Sequence, residues 1–190
     1  MKMYLNVSNF CLMTNGRIFR RYIVFSLVNL RVARTGDLDL IYQTIVEDAT
    51  KGHYSENYYS VSDAKKGLLV NLNNMINNEI RTNITKDIFS RIIIFEKSEQ
   101  PIGFCIISTA DDPKDLEIWK FSIFKNFRNK GYSKKFLKKL LKSIRKTYPT
   151  TDIVARCFES SQIMMNILKD NKFIEENSGY EARFFRLKSS

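Results

Sequence analysis

The sequence predicts an α/β fold, and three observations carry that reading. Segments of strand and helix character follow one another as strand, two helices, hairpin, strand, helix, strand, helix, strand. One helix is plainly amphipathic: Phe136, Leu137, Leu140, Leu141 and Ile144 recur at helical spacing, and Lys134, Lys135, Lys138, Lys139, Lys142 and Lys146 take the opposite face. The chain's 190 residues, 44% hydrophobic and 27% charged, are enough for a single domain with a real core.

Residues 1–25 read poorly as any element. They contain no Asp or Glu, and their apolar residues are interrupted by Asn6, Ser8 and Asn9, with no small-residue cleavage site after a clean apolar core. The expectation is an accessory N-terminal segment, with the folded domain over residues 26–190. Residues 23–33, IVFSLVNLRVA, form the first strand pattern. Thr35-Gly36-Asp37 breaks it and offers a cap for a first helix to about Ala49. Residues 51–59 read as an aromatic loop. A second helix is predicted over 62–80, capped by Ser62 and burying Leu68, Leu69, Leu72 and Ile76.

Residues 91–97 and 102–108, joined by a short turn over Ser98-Glu99-Gln100-Pro101, read as an antiparallel hairpin. After Asp111-Asp112-Pro113, the run Leu116, Ile118, Trp119, Phe121, Ile123 and Phe124 is too short for a buried helix and reads as a strand. The turn over residues 128–133 leads into the amphipathic helix, predicted over 133–146. A strand at 152–157, a helix entered through Ser160-Ser161-Gln162, and a last strand at 182–187 complete the order.

Composition narrows the function. The cysteines, Cys11, Cys105 and Cys157, are odd in number and lack metal-like or redox-like spacing, which fits a reducing, cytoplasmic setting without a disulfide framework. One histidine and no clustered ligands imply no metal. No apolar run approaches the roughly 18 residues of a membrane span. The formal net charge is +11, and residues 118–151 alone hold eleven Lys and Arg with no Asp or Glu. Such a field attracts anionic ligands. A phosphorylated small molecule is one candidate and nucleic acid another, and a solvated Lys face accounts for most of these lysines.

The turn is also a physical device. Gly131 can adopt positive φ and admits close approach to the backbone. The first N–H groups of the following helix lack intrahelical partners and lie at the positive end of its dipole, a ready site for a pyrophosphate. Arg128 and Lys130 add charge beside it.

Arg128-x-x-Gly131-x-Ser133 between a strand and a helix resembles the R/Q-x-x-G-x-G/A signature of the Gcn5-related N-acetyltransferase (GNAT) superfamily. Ser133 replaces the usual Gly or Ala, small for small. The opening L-R-x-A-x-x-x-D-L pattern and the order of elements over residues 30–187 resemble the same family. The resemblance implies a GNAT-like mixed, twisted sheet with helices on both faces and a chain that transfers an acetyl group from acetyl-CoA to an amine on a small molecule or protein. It places the pyrophosphate on Arg128, Asn129, Lys130, Gly131, Tyr132 and Ser133. Phe121 and Ile123 line the thioester end, where backbone amides near Ile123 polarise the carbonyl. Ser161 stands at the Asn of the family's N-x-x-A-x-x-L-Y-x-K-x-G-F segment, Met164 at its Ala, and Lys172-Phe173 at its Gly-Phe. Leu168 stands at the Tyr that often protonates the departing thiolate, and it cannot do so. Glu117, six residues before Ile123, resembles the glutamate base of some members. His53, Tyr54, Tyr58 and Tyr59 fall where the family forms its acceptor pocket. A non-catalytic acyl-CoA-binding protein and a nucleic-acid-binding protein are the alternatives, nucleic acid not being favoured. A homodimer is compatible with these partners.

Overall fold

A computed structural model describes residues 28–82, 86–176 and 182–189. The accessory segment expected over 1–25, Cys11 and the start of the first strand pattern lie outside the described residues.

Strand β1 (Val28–Val32) leads through a 3-10 turn to helix α1 (Leu38–Ala49). Asp37 fixes that turn: its carboxylate accepts the Arg34 N–H at 2.7 Å and both terminal nitrogens of Arg31 at 2.6 and 2.8 Å. A one-turn helix α2 (Asn57–Ser60) interrupts the expected loop, and α3 (Ser62–Asn78) follows. Ser62 is the first residue of α3 and Val61 its cap. The helix stops before Ile80 because Glu79 takes a left-handed conformation (φ 57°), which turns the chain into the short strand β2 (Ile80–Thr82).

The hairpin is longer than predicted: β3 (Asp87–Lys97) and β4 (Gln100–Thr109). Then come β5 (Leu116–Ile123), α4 (Tyr132–Thr147), β6 (Ile153–Phe158), α5 (Gln162–Asp170), β7 (Ile174–Glu176) and β8 (Ala182–Leu187). The sheet order is β1-β3-β4-β5-β6-β8-β7, with β2 pairing β3. All pairings are antiparallel except β5 with β6, so the sheet is mixed, as expected.

Alternating strand residues feed two cores. On one face Ile92, Ile94, Phe104, Ile106 and Phe124 pack against Ile41 and Ile45 of α1 and Leu68, Leu72 and Met75 of α3. On the other, Phe95, Ile118 and Phe185 pack against the apolar stripe of α4 and against Met165, Ile167 and Leu168 of α5. Phe136 of α4 is the anchor there, stacked on Phe95 with ring centroids 4.6 Å apart and tilted against Phe121 at 4.8 Å. The lysines of α4 point away from this core, as its periodicity predicts.

Candidate active site

The site is created where the central strands stop pairing. β5 is bonded in parallel to β6 only over Leu116, Ile118 and the residue between them, opposite Ile153, Val154 and Ala155. Both strands continue without pairing each other, β5 to Ile123 and β6 to Phe158. A bulge begins the separation: on β4, Ile107 faces Ile118 and Ile106 faces Lys120, which leaves Trp119 as the extra residue. The opened strands border a cavity of about 600 Å³. Its floor includes Phe121 and Ile123, and one wall is formed by Ser161, Met164 and Ile167 near the start of α5.

The predicted turn lies at one end of this cavity. Asn129 (φ 59°) and Gly131 (φ 72°) are both left-handed, so the chain folds tightly into the N-terminus of α4, whose first turn has no side-chain cap. Among the described residues, the N–H groups of Asn129, Lys130 and Gly131 make no backbone hydrogen bond outside helices and strands. A Cβ built on Gly131 would meet no atom within 4 Å, so the space above the turn is open. Backbone donors, open space and the helix N-terminus suit a phosphate group.

Arg128, expected to add charge beside the phosphates, is also held by the protein: its Nη2 donates to both Asp48 oxygens at 2.8 and 3.0 Å and its Nε to the Ile123 carbonyl at 2.8 Å. Asp48, at the end of α1, is 4% exposed. It also accepts from Ser122 Oγ at 2.8 Å. Since that carboxylate can only accept, the Ser122 proton goes to it, and the one proton of the Tyr54 hydroxyl is shared between Ser122 Oγ, 2.7 Å away, and the Phe121 carbonyl, 3.1 Å away. The network ties α1, the loop after it, β5 and the turn into one unit. Burial raises the Tyr54 pKa, which keeps its hydroxyl protonated.

The far end of the cavity is built by side chains. Lys120 is 5% exposed, and its Nζ sits 4.4 to 4.5 Å from the ring centroids of Tyr54, Tyr58 and Trp119. It makes no hydrogen bond or ion pair with any described residue. Burial, assisted by the nearby Arg81 charge, pushes its pKa down to about 7, against a weaker upward pull from Glu117. The loop after α1 is fastened across this end: Ser160 Oγ donates to the Gly52 carbonyl at 2.6 Å, and His53 Nδ1 lies 3.1 Å from Ser161 Oγ.

Of the predicted site residues, Phe121, Ile123, Arg128, Asn129, Gly131, Tyr132, Ser133 and Ser161 line the cavity. Lys130 does not; its Nζ is turned back to the Asn126 carbonyl at 2.9 Å. Glu117 does not line it either. It is 4% exposed, with Oε1 3.6 Å from Arg156 Nε, and burial raises its pKa while Arg156 opposes that rise. Of the acceptor candidates His53 and Tyr54 line the cavity, Tyr58 covers Lys120, and Tyr59 is outside. Leu168 is fully buried among the core residues of α4 and α5 and does not border the cavity. Asp48, Ser122 and Lys120 were missed. Among the described residues no group of three or more His, Cys, Asp or Glu could hold a metal.

The sequence profile of the acetyltransferase (GNAT) domain matches residues 28–174. The chain belongs to this family. Solved structures share its fold at low identity. The PaiA N-acetyltransferase of Thermoplasma acidophilum, in complex with coenzyme A, is 15% identical over 85% of this chain and 99% of its own, with a TM-score of 0.63. The spermidine N-acetyltransferase of Vibrio cholerae, with coenzyme A and spermine, is 15% identical over 85% and 95%, also at 0.63. An acetyltransferase of Salmonella typhimurium that modifies the N-terminal serine of ribosomal protein L7/L12 is 13% identical over 86% and 95%, at 0.61. No curated protein matches the chain. Within this GNAT domain, residues 128–133 form the strand-to-helix turn that the R-x-x-G-x-S motif implied, whereas the divergence of β5 from β6 was not foreseen.

Proposed function

We propose that this GNAT protein transfers the acetyl group of acetyl-CoA to an amine. The observation that carries the proposal is the strand divergence that opens onto both ends of the cavity, with the helix N-terminus at one end and the side-chain cage at the other. The turn at 128–133 would hold the pyrophosphate through backbone N–H groups. The unpaired edge of β5 near Ile123 would receive the pantetheine and the thioester, with its amides directed at the carbonyl oxygen.

Among the described lining residues the carboxylate is Asp48, already engaged by Arg128 and Ser122, whereas Lys120, Arg128, Lys134 and Arg156 are basic. Three of these are paired, Arg128 with Asp48, Lys134 with Asp170 and Arg156 with Asp111, so the charge of the lining does not by itself select among a polyamine, a monoamine, an amino acid and a peptide N-terminus. Incubation with acetyl-CoA and a panel of monoamines, amino acids, peptides and polyamines, read by mass spectrometry of the products, tests the transfer. Acetylated product with release of free thiol is expected. Binding of acetyl-CoA without transfer to any amine would support a non-catalytic acyl-CoA-binding protein instead.

A further inference from the structure

We propose that Lys120, and not Glu117, is the group that takes the proton from the acceptor amine. The inference deepens the acetyl-transfer reading and rests on it. Three features of the site support it. Lys120 borders the cavity and is almost wholly buried, whereas Glu117, also buried, is turned to Arg156 and does not border it. Lys120 lies on the part of β5 that has left β6, three residues before Ile123, on the same unpaired stretch that would receive the thioester. It is held over Tyr54, Tyr58 and Trp119 with no carboxylate bonded to it, so its amine has no fixed partner other than these rings.

The groups around it explain how a lysine can act as a base. Arg81, at β2, is stacked over Trp119 at 4.3 Å and opposes a positive charge on Lys120. Glu117, on the same strand, favours that charge more weakly than Arg81 opposes it. Tyr54 and Tyr58, from the segment after α1, both have raised pKa values through burial and stay neutral. The three ring faces favour the ammonium form, and burial opposes it, bringing the pKa down to about 7, the range in which a base is most useful.

The steps balance as follows. The acceptor R–NH₃⁺ gives one proton to Lys120 Nζ. Its freed lone pair forms a C–N bond with the thioester carbonyl carbon, and the C–S bond breaks with its electron pair leaving on sulfur. The second proton lost by the nitrogen goes to that thiolate, giving the free thiol, and Lys120 returns its proton to solvent. No protein acid is needed at the Leu168 position.

The test has two arms. In the first, the Lys120 ammonium is titrated by NMR in protein with ¹³C-labelled lysine, its signal assigned by its loss in Lys120→Arg. A midpoint near 7 is expected, and a midpoint near the ordinary lysine value of about 10.4 overturns the proposal. In the second, kcat/KM for an accepted amine is followed against pH. The wild type should lose activity below the same midpoint. Lys120→Met, with acetyl-CoA binding retained by calorimetry, should fall on the order of a hundredfold and lose that limb, while Glu117→Gln should keep it. A Lys120→Met enzyme that keeps the limb, or a Glu117→Gln enzyme that loses it, overturns the assignment alone. A wild type that binds acetyl-CoA and acetylates no amine contradicts the transfer reading itself, and this proposal with it.

Discussion

The two ends of the cavity are built from different materials. At the turn, residues 128–133 act mainly through backbone: two left-handed residues, N–H groups and a helix terminus. At the other end, Tyr54, Tyr58, Trp119 and Lys120 act through side chains brought together from the segment after α1 and from β5. A backbone site tolerates many side chains, so its requirement reduces to a glycine and a small residue at fixed spacing. A side-chain site has no such local signature. The contrast suggests that binding of the acyl donor is fixed by the fold, and that the choice of acceptor belongs to the cage.

Asp48 joins the two ends, and removing it should have the largest effect. Asp48→Ala leaves the Arg128 guanidinium and Ser122 without their buried partner. We expect a loss of about 3 kcal/mol in urea denaturation. A loss below about 1 kcal/mol would mean that the ends are not coupled through this carboxylate.

Leu168→Tyr should come next. The family's tyrosine position would have to be filled inside a packed core, with a hydroxyl to satisfy. A destabilisation of about 2 kcal/mol is expected, with no gain in kcat. An active, unperturbed Tyr variant would show that α5 can present this position to the cavity, and would blur the contrast between the ends.

Lys172→Gly should be the smallest effect and of opposite sign. Lys172 takes the glycine position of the family's segment with φ 72°. Left-handed backbone costs a side-chain-bearing residue about 1–2 kcal/mol, and the added freedom of glycine in the unfolded chain returns part of that. A net gain of about 0.5–1 kcal/mol in thermal or urea unfolding, without change at either end of the cavity, is expected. A decrease would mean that Lys172 makes a compensating contact.

Legibility in the sequence follows the same division. The amphipathic stripe placed α4 within a residue at either end, and short apolar runs placed β4 and β5. The elements α2, β2 and β7 are three or four residues long, too short to show a period, and were not foreseen. Lys120 was counted with ten other basic residues between positions 118 and 151 as part of one field. Only the pairing of β5 shows that it points inward while the helix lysines face solvent. The available hint was local: a single lysine inside the run Ile118-Trp119-Lys120-Phe121 on a buried strand. Asp48 gave no such hint, because its partners lie 74 and 80 residues away.

The central claim is that the turn at residues 128–133 holds acetyl-CoA by close approach to its backbone. The most direct measurement is calorimetry of acetyl-CoA binding to the wild type and to Gly131→Val, with folding checked by circular dichroism. Because the space above Gly131 is open in the protein alone, the valine would strain the turn by about 1–2 kcal/mol without colliding with other protein atoms at its Cβ. A ligand lying against the backbone would collide with it. The account predicts a folded variant that binds acetyl-CoA at least about tenfold more weakly, a change of about 1.4 kcal/mol or more. A folded Gly131→Val protein that binds as tightly as the wild type would contradict it.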